Sequence, residues 1–160
     1  MCAMSEAPKK IILLGYFGVG KTSLIKRYVH QEFSFNYLTT IGVHIEKKIE
    51  YVKDRQIPLI IWDIAGEKAV KKISGKYLKH AHGLIYLFDL SRPATYTNLE
   101  EQLEELNNMF PGLPRVIAGN KKDLIPSNTG LKFPIDCYMT SAKTGENVHQ
   151  IFKELAKQIL

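Results

Sequence analysis

Short apolar segments alternate with amphipathic segments along the 160 residues of this chain. Residues 11–14 are continuously apolar, which is typical of a strand that is buried on both faces of a sheet. Residues 21–30 carry apolar side chains at four-residue spacing and therefore predict a helix. Residues 43–51 alternate between apolar and polar side chains, which is the period of a half-buried strand.

The same pattern continues to the end of the chain. Further strands are predicted at residues 56–63, 83–90, 115–119 and 137–139. Apolar stripes at helical spacing predict a helix over 99–110 and another over 148–159, with Asn98 and Asn147 as their N-caps. Strands that alternate with helices indicate an α/β fold, with a mostly parallel six-stranded sheet and helices on both faces.

Composition and charge narrow the class of protein. The length suits one domain, and 45% hydrophobic with 24% charged residues excludes disorder, collagen and a coiled coil. Two cysteines cannot build a disulfide framework or a four-ligand zinc site. A formal net charge of +6 allows nucleic acid or an acidic membrane surface as partner, although a modest excess of lysine is usually a solvated surface.

The termini and the hydropathy of the chain give expectations about its location. No apolar stretch is long enough to span a bilayer, and the start lacks the features of a signal peptide. We therefore expect a cytoplasmic protein, with peripheral membrane recruitment through a partner as a further option. Residues 1–9 are expected to form a flexible extension ahead of one domain over residues 10–160.

The segment Gly15–Thr22 fits the pattern G-x-x-x-x-G-K-[ST], and it lies between a predicted strand and a predicted helix. Its glycines let backbone N–H groups converge on phosphate oxygens, and the helix N-terminus adds partial positive charge. The Lys21 ammonium can reach β- and γ-phosphates, and the Thr22 hydroxyl can ligate Mg²⁺. This segment predicts a phosphate-binding loop.

Three later segments are weak signals alone, but they become informative because they follow a predicted phosphate-binding loop. Asp63 ends an apolar strand and can hold Mg²⁺ through water, while Gly66 offers an N–H to a terminal phosphate. In the segment Asn120–Asp123, the Asp123 carboxylate can accept from both N1–H and the N2 amine of guanine, which adenine lacks. The segment Thr140–Lys143 can direct a backbone N–H at guanine O6.

These motifs, in this order, resemble the Ras superfamily of small GTPases, and look closest to its Rab, Ras and Arf-like branches. The resemblance runs from about Lys10 to Leu160, and it includes a segment Tyr37–Val43 like the first switch of Rab proteins. It implies the small G domain of the P-loop NTPases, a switch that binds GTP or GDP with Mg²⁺, and hydrolysis of GTP to GDP. Thr40 would then sense the γ-phosphate, and Phe33 would cover the guanine base.

The resemblance also implies a set of site residues. It assigns Thr22, Thr40 and Asp63 to the metal, and Lys21, Thr40, Gly66 and Glu67 to catalysis. It assigns to the nucleotide Gly15, Phe17, Gly18, Val19, Gly20, Lys21, Thr22, Ser23, Phe33, Tyr37, Thr40, Gly66, Asn120, Lys121, Asp123, Ser141, Ala142 and Lys143.

Three departures from the family pattern change the expected behaviour. Glu67 stands where the family usually has the glutamine that orients the attacking water, and Phe17 fills a loop position that is small in many relatives. Both predict slow hydrolysis. Asn120 and Ser141 are only 21 positions apart, and residues 125–130 are loop-like. The helix usually found between Asp123 and Cys137 is therefore expected to be shortened or absent.

The partners and the alternative functions follow from the same resemblance. Effectors, an exchange factor and a GTPase-activating protein would bind near Tyr37–Val43 and Gly66–Tyr77, and we expect a monomer without a specific nucleic-acid site. The main alternative is a GTP-binding scaffold with negligible hydrolysis that recruits a partner. A P-loop kinase that acts on a small molecule is a third alternative, but it would lack the guanine-binding segment. A nucleic-acid binder of this charge is a further alternative, and its affinity would fall steeply with rising salt concentration.

Overall fold

A seven-stranded sheet forms the centre of the structure, a computed structural model that describes residues 4–35, 40, 42–66, 73 and 75–160. The strands are β1 (Met4–Ser5), β2 (Lys9–Leu14), β3 (Val43–Val52), β4 (Arg55–Ile64), β5 (Gly83–Asp89), β6 (Arg115–Asn120) and β7 (Tyr138–Met139). Strand β2 lies between β4 and β5, β6 and β7 follow β5, and all of these pairs are parallel. Strand β3 pairs antiparallel with the other edge of β4.

The six predicted strands are confirmed, and β1 is an addition that the sequence did not indicate. Met4 and Ser5 pair with Arg55 and Gln56 of β4, in line with β2. The Glu6 N–H continues this pairing by donating to the Gln56 carbonyl at 2.8 Å, and the Glu6 carboxylate accepts from the Arg55 guanidinium at 2.9 Å. This part of the extension therefore has a partner on the sheet.

Helices cover both faces of the sheet, as expected. Helices α1 and α4 pack on one face, where their apolar stripes meet the inward side chains of β2, β4 and β5. Helices α2 and α3 pack on the other face. The helices are α1 (Lys21–His30), α2 (Gly75–Leu78), α3 (Leu99–Met109) and α4 (Val148–Gln158), and 3₁₀ turns occur at Pro93–Thr95 and Lys122–Leu124.

The predicted N-caps stand at the right positions, but neither makes a capping bond through its side chain. The Asn98 side chain instead accepts a hydrogen bond from the Tyr16 hydroxyl at 2.9 Å. Asn147 adopts a left-handed conformation with φ of 57°, and its amide donates to the Met139 carbonyl at 2.8 Å. The two N-cap positions are therefore confirmed, but the side-chain capping bonds do not form because other partners compete for both side chains.

No α-helix lies between Asp123 and Cys137, a stretch that the structure describes throughout. In its second half the side chains alternate between half-buried and exposed, as in an extended chain. Half-buried Leu131, Phe133, Ile135 and Cys137 pack against the same cluster as α3, and the Phe133 ring lies 5.1 Å from that of Phe88. The expected loss of this helix is therefore confirmed, and the side chains of residues 131–137 pack on the sheet without it.

Candidate functional site

The predicted site residues converge at one edge of the sheet, because the carboxyl ends of parallel strands meet there. The loop of residues 15–20 leaves β2 and leads into α1. Asp63 lies near the end of β4, Asp89 ends β5 and Asn120 ends β6. Three buried polar side chains thus surround the loop, with exposed fractions of 1% or less.

Two adjoining cavities open at this edge. The larger has a volume of about 350 Å³ and is lined by Phe17, Gly18, Lys21, Thr22, Thr40 and Gly66, among others. The smaller, of about 70 Å³, is lined by Phe35, Asn120, Asp123, Ala142 and Lys143, among others. Gly20, Ser23, Phe33 and Lys121 line both. Together they have the size of a small-molecule site, with one end at the loop and the other at the predicted base-binding segments.

Two glycines of the loop are required by close packing as well as by conformation. A Cβ on Gly15, whose φ is +153°, would lie 2.1 Å from the Leu87 carbonyl oxygen of β5. A Cβ on Gly20, whose φ is +102°, would lie 2.3 Å from the Asn120 side-chain nitrogen. Both positions therefore require glycine for the loop to lie this close to β5 and β6.

Lys21 is buried beneath the loop, with 6% of its surface exposed. Its Nζ donates to the carbonyls of Gly15 at 3.0 Å and Tyr16 at 3.2 Å. Burial lowers the pKa of Lys21 to about 8, the Asp63 carboxylate opposes this shift, and the Arg92 guanidinium adds to it. A buried ammonium whose charged form is disfavoured is a ready partner for an anion.

Three oxygen-bearing side chains assigned to the metal lie together. The Thr22 hydroxyl donates to Asp63 Oδ2 at 2.5 Å, and its oxygen lies 2.7 Å from the Thr40 hydroxyl oxygen. Asp63 Oδ1 is buried and has no hydrogen-bond partner among the described residues. Burial raises the pKa of Asp63, while the Thr22 hydrogen bond and the Lys21 charge oppose that shift. Hard oxygen donors and an unpartnered buried carboxylate oxygen fit the preferences of Mg²⁺.

The predicted base-binding residues form a connected set around the smaller cavity. Asn120 donates to the Val19 carbonyl at 3.1 Å and accepts from the Ala142 N–H at 3.2 Å. The buried Ser141 hydroxyl donates to Asp123 Oδ1 at 2.7 Å, which orients the exposed carboxylate. Lys121 reaches back to the Gly18 carbonyl at 3.0 Å. The base-binding segments are thereby tied to the phosphate loop.

Aromatic side chains flank the smaller cavity. Phe33 is half-buried, and its ring meets that of Phe35 edge-to-face with centroids 5.1 Å apart. The Lys143 ammonium lies 5.1 Å from the centroid of the Phe35 ring. Phe35 was missed by the sequence analysis, although a second aromatic two positions after Phe33 was a signal for it.

Phe17 and Gly66 both line the larger cavity, and their backbones lie close together. The Phe17 side chain is 58% exposed, so its bulk lies at the surface over the loop. A Cβ on Gly66 would lie 2.6 Å from the Phe17 backbone nitrogen and 2.9 Å from Lys21 Nζ. The backbone after β4 thus approaches the phosphate loop closely. Tyr37 and Glu67 lie outside the described residues.

Asp89 and Arg92 belong to the site but were not assigned to it from the sequence. Asp89 is fully buried, and its Oδ2 accepts from Arg92 Nε at 3.0 Å and from Lys121 Nζ at 2.9 Å. Arg92 also donates to the Phe17 carbonyl at 2.7 Å. An acidic residue at the end of a central strand, with an arginine three positions later, was the signal that could have found them.

The chain has Ras-related sequence relatives along nearly its whole length. A profile of the Ras family matches residues 10–160. The chain is 32% identical to the Ras-related protein Rab-13 of Mesocricetus auratus over 161 aligned positions, which cover 94% of the chain and 79% of that protein. It is 33% identical to the Ras-related protein RABA1b of Arabidopsis thaliana (94% and 74% covered). It is 30% identical to the GTP-binding protein ypt1 of Schizosaccharomyces pombe (94% and 79% covered).

Proposed function

Because the chain belongs to the Ras family, we propose that it is a guanine-nucleotide switch that binds GTP or GDP with Mg²⁺ and hydrolyses GTP to GDP. One observation carries this proposal. The phosphate loop, the hydroxyl-bearing residues Thr22 and Thr40, and the segments around Asp123 line two adjoining cavities, and Asp63 contacts Thr22. One elongated ligand with a base at one end and phosphates at the other would contact all of them.

Phosphate binding would rest on the loop and on Lys21. Backbone N–H groups of the glycine-rich loop and of the first turn of α1 would donate to the phosphate oxygens. The Lys21 ammonium would exchange the Gly15 and Tyr16 carbonyls for a phosphate oxygen, whose charge favours the protonated form that burial disfavours. The desolvated lysine would therefore gain more from a phosphate than an exposed lysine would.

Thr22 and Asp63 would hold Mg²⁺ in both nucleotide states, and Thr40 would join them only with GTP. The ion supplies positive charge at the β- and γ-phosphate oxygens when it is bound. The unpartnered Oδ1 of Asp63 supports this role, since a buried carboxylate oxygen without a donor is costly. The contact of Thr40 with the metal would then make the arrangement of the segment around Thr40 depend on whether GTP or GDP is bound.

Removing Mg²⁺ is expected to speed release of GDP, and Thr22→Ala is expected to weaken nucleotide binding. The Thr22 hydroxyl faces Asp63 and Thr40 rather than the apolar core, so its loss costs little packing. Release of a fluorescent GDP analogue, followed with and without EDTA, measures the first effect, and Thr129→Ala, at an exposed threonine in the segment between β6 and β7, is a matched control for the second. An off-rate that EDTA leaves unchanged would show that the metal assignment is wrong.

Hydrolysis is proposed to be slow because of two side chains. An ionised Glu67 can only accept a hydrogen bond, whereas a glutamine amide also donates toward the phosphoryl oxygens. Glu67 would also add negative charge beside the γ-phosphate, opposing the charge stabilisation that the reaction requires. Phe17 adds an exposed ring over the phosphate loop, where an incoming arginine from a partner would have to pass. The GTP state would therefore be long-lived.

Glu67→Gln is expected to hydrolyse GTP faster than the wild type, and faster again when combined with Phe17→Gly. Single-turnover hydrolysis of preloaded GTP gives the chemical rate without product release, and GDP release from each variant provides the control for altered binding. A fast wild type that Glu67→Gln slows would overturn the proposal and make Glu67 the water-orienting residue. Negligible turnover in all variants, with tight GTP binding, would favour the scaffold alternative.

Partners are proposed to bind beside the nucleotide. Effectors, an exchange factor and a GTPase-activating protein would contact the surface near Tyr37–Val43 and Gly66–Tyr77, where Thr40 and Gly66 line the larger cavity. The chain would act as a monomer in the cytoplasm, with membrane recruitment through such a partner. Across the part of the chain that the structure describes, no helix is both long enough and apolar enough to cross a membrane.

A further inference from the structure

Three successive carbonyls of the phosphate loop each accept a hydrogen bond from a side chain. The Phe17 carbonyl accepts from Arg92 Nη2 at 2.7 Å. The Gly18 carbonyl accepts from Lys121 Nζ at 3.0 Å, and the Val19 carbonyl accepts from Asn120 Nδ2 at 3.1 Å. The orientation of three consecutive peptide groups is therefore held from outside the loop.

The direction of each carbonyl determines the direction of the next N–H. In a trans peptide the carbonyl of one residue and the N–H of the following residue point in opposite directions. A Phe17 carbonyl that points at Arg92 leaves the Gly18 N–H pointing away from Arg92. Gly18 lines the larger cavity but not the smaller one around the base-binding residues. Its N–H therefore belongs to the end of the site that would hold the terminal phosphates.

Arg92 is itself held by a buried carboxylate. Asp89 Oδ2 accepts from Arg92 Nε and Lys121 Nζ, while Oδ1 accepts from the backbone N–H and the hydroxyl of Ser91 at 2.9 and 2.6 Å. Burial alone would raise the pKa of Asp89, but the bonds from Ser91 and Lys121 outweigh it and hold that pKa below its ordinary value. Asp89 is therefore ionised, and its Oδ2 accepts hydrogen bonds from two of the three donors, Arg92 and Lys121.

Only one of the three donors lies outside the sequence motifs. Asn120 and Lys121 belong to the predicted base-binding segment, whereas Arg92 follows β5 and was assigned no role. We propose that Arg92 is a positioning residue for the proposed nucleotide site, which orients the Gly18 N–H toward the phosphates beyond the α-phosphate. The inference rests on the proposed function, since it needs a bound nucleotide to have an effect.

The geometry of arginine suits this task better than that of lysine. Arg92 uses Nε for Asp89 and Nη2 for the Phe17 carbonyl, so one rigid guanidinium joins both acceptors. A lysine ammonium is a point charge on a flexible stem and cannot hold the two acceptors in the same relation. Arg92→Lys should therefore recover only part of the effect of the arginine, although it keeps the charge.

The test compares nucleotides that differ in the number of phosphates. Affinities for GDP and GMP are measured by competition with a fluorescent GDP analogue for the wild type, Arg92→Ala, Arg92→Lys and the control Arg115→Ala. Arg115 lies at the start of β6 and bonds Asn107, far along the strand from the loop. Arg92→Ala is expected to weaken GDP binding roughly 10- to 100-fold, as for loss of a charge-assisted hydrogen bond, with GMP binding little changed. The GDP affinity of Arg92→Lys should lie between those of the wild type and Arg92→Ala, and the GDP affinity of Arg115→Ala should match that of the wild type.

A second readout follows the amide itself. In the GDP complex, the Gly18 amide proton of Arg92→Ala should shift upfield in a ¹⁵N-correlated NMR spectrum, whereas Arg115→Ala should leave it in place. Equal losses for GDP and GMP, or an unmoved Gly18 amide, would overturn the inference and leave Arg92 a merely structural residue. Should Arg92→Ala fail to fold, Arg92→Lys decides by the same GDP-to-GMP comparison. A wild type that binds neither GDP nor GTP would instead refute the proposed function.

Discussion

Asp123→Asn is expected to convert a protein that prefers guanine nucleotides into one that prefers xanthine nucleotides. Guanine presents N1–H and an N2 amine, which a carboxylate can accept together. Xanthine has a 2-oxo group in place of the amine, and an asparagine amide can donate to it. A site built around such hydrogen bonds discriminates by about 10⁴ or more, so the affinity for GTP should fall by a factor of that order.

The structure makes this a sharp test because a defined hydrogen bond orients the Asp123 side chain. The Ser141 hydroxyl donates to Asp123 Oδ1 at 2.7 Å, and an asparagine side-chain oxygen can keep that bond. Competition of GTP, ATP and xanthosine triphosphate for the same site measures the preference. Asp136→Asn, an exposed change in the segment that leads to β7, is the matched control. An unchanged preference for GTP would remove Asp123 from the base site.

Gly15→Ala is expected to destabilise the protein and to abolish tight nucleotide binding. Its Cβ would lie 2.1 Å from a backbone oxygen of β5, which cannot turn away as a flexible side chain could. The loop and the strand would have to separate, and forced overpacking typically costs about 1–3 kcal/mol, with the strained backbone adding to it. We therefore expect the free energy of unfolding to fall by about 3 kcal/mol or more.

Gly112→Ala is the matched control, because it tests a positive φ without a clash. Gly112 has φ of +74°, and a Cβ there would meet no atom within 4 Å. Gly112→Ala should therefore lower the free energy of unfolding only by the cost of a left-handed alanine, about 1–2 kcal/mol. Urea unfolding and GDP retention of the two variants separate the effects. Equal losses in both variants would mean that the close approach of Gly15 to β5 has no role.

Much of the fold could be predicted because its signals are local. Helix α1 has the predicted bounds, since apolar spacing and the glycine-rich loop before it both act over a few residues. The buried run of β2 coincides with the predicted residues 11–14 for the same reason, and the strand itself begins two residues earlier, at Lys9. In contrast, β1 consists of two exposed residues without a pattern, and it forms only because the edge of β4 is there to pair with it.

The residues of the candidate site also divide into those that could be predicted from local sequence and those that could not. The phosphate loop and the base-binding segments are contiguous motifs, so their chemistry can be recognised from the sequence alone. Arg92 and Phe17 are 75 positions apart, and their hydrogen bond arises from the pairing of β2 with β5. The missing side-chain cap of Asn98 has a related cause, because Tyr16, which bonds the Asn98 side chain, lies 82 positions away in the sequence.

The segment between β6 and β7 shows how a chain can cover a surface with fewer residues. An extended chain advances about 3.3 Å per residue, whereas a helix advances about 1.5 Å, so a helix needs roughly twice as many residues to span the same distance. Residues 131–137 place an apolar side chain on the sheet at every second position. The shorter spacing between Asn120 and Ser141 therefore need not expose the core. The outer surface at this segment is formed by the alternate residues Lys132, Pro134 and Asp136, which are exposed to solvent.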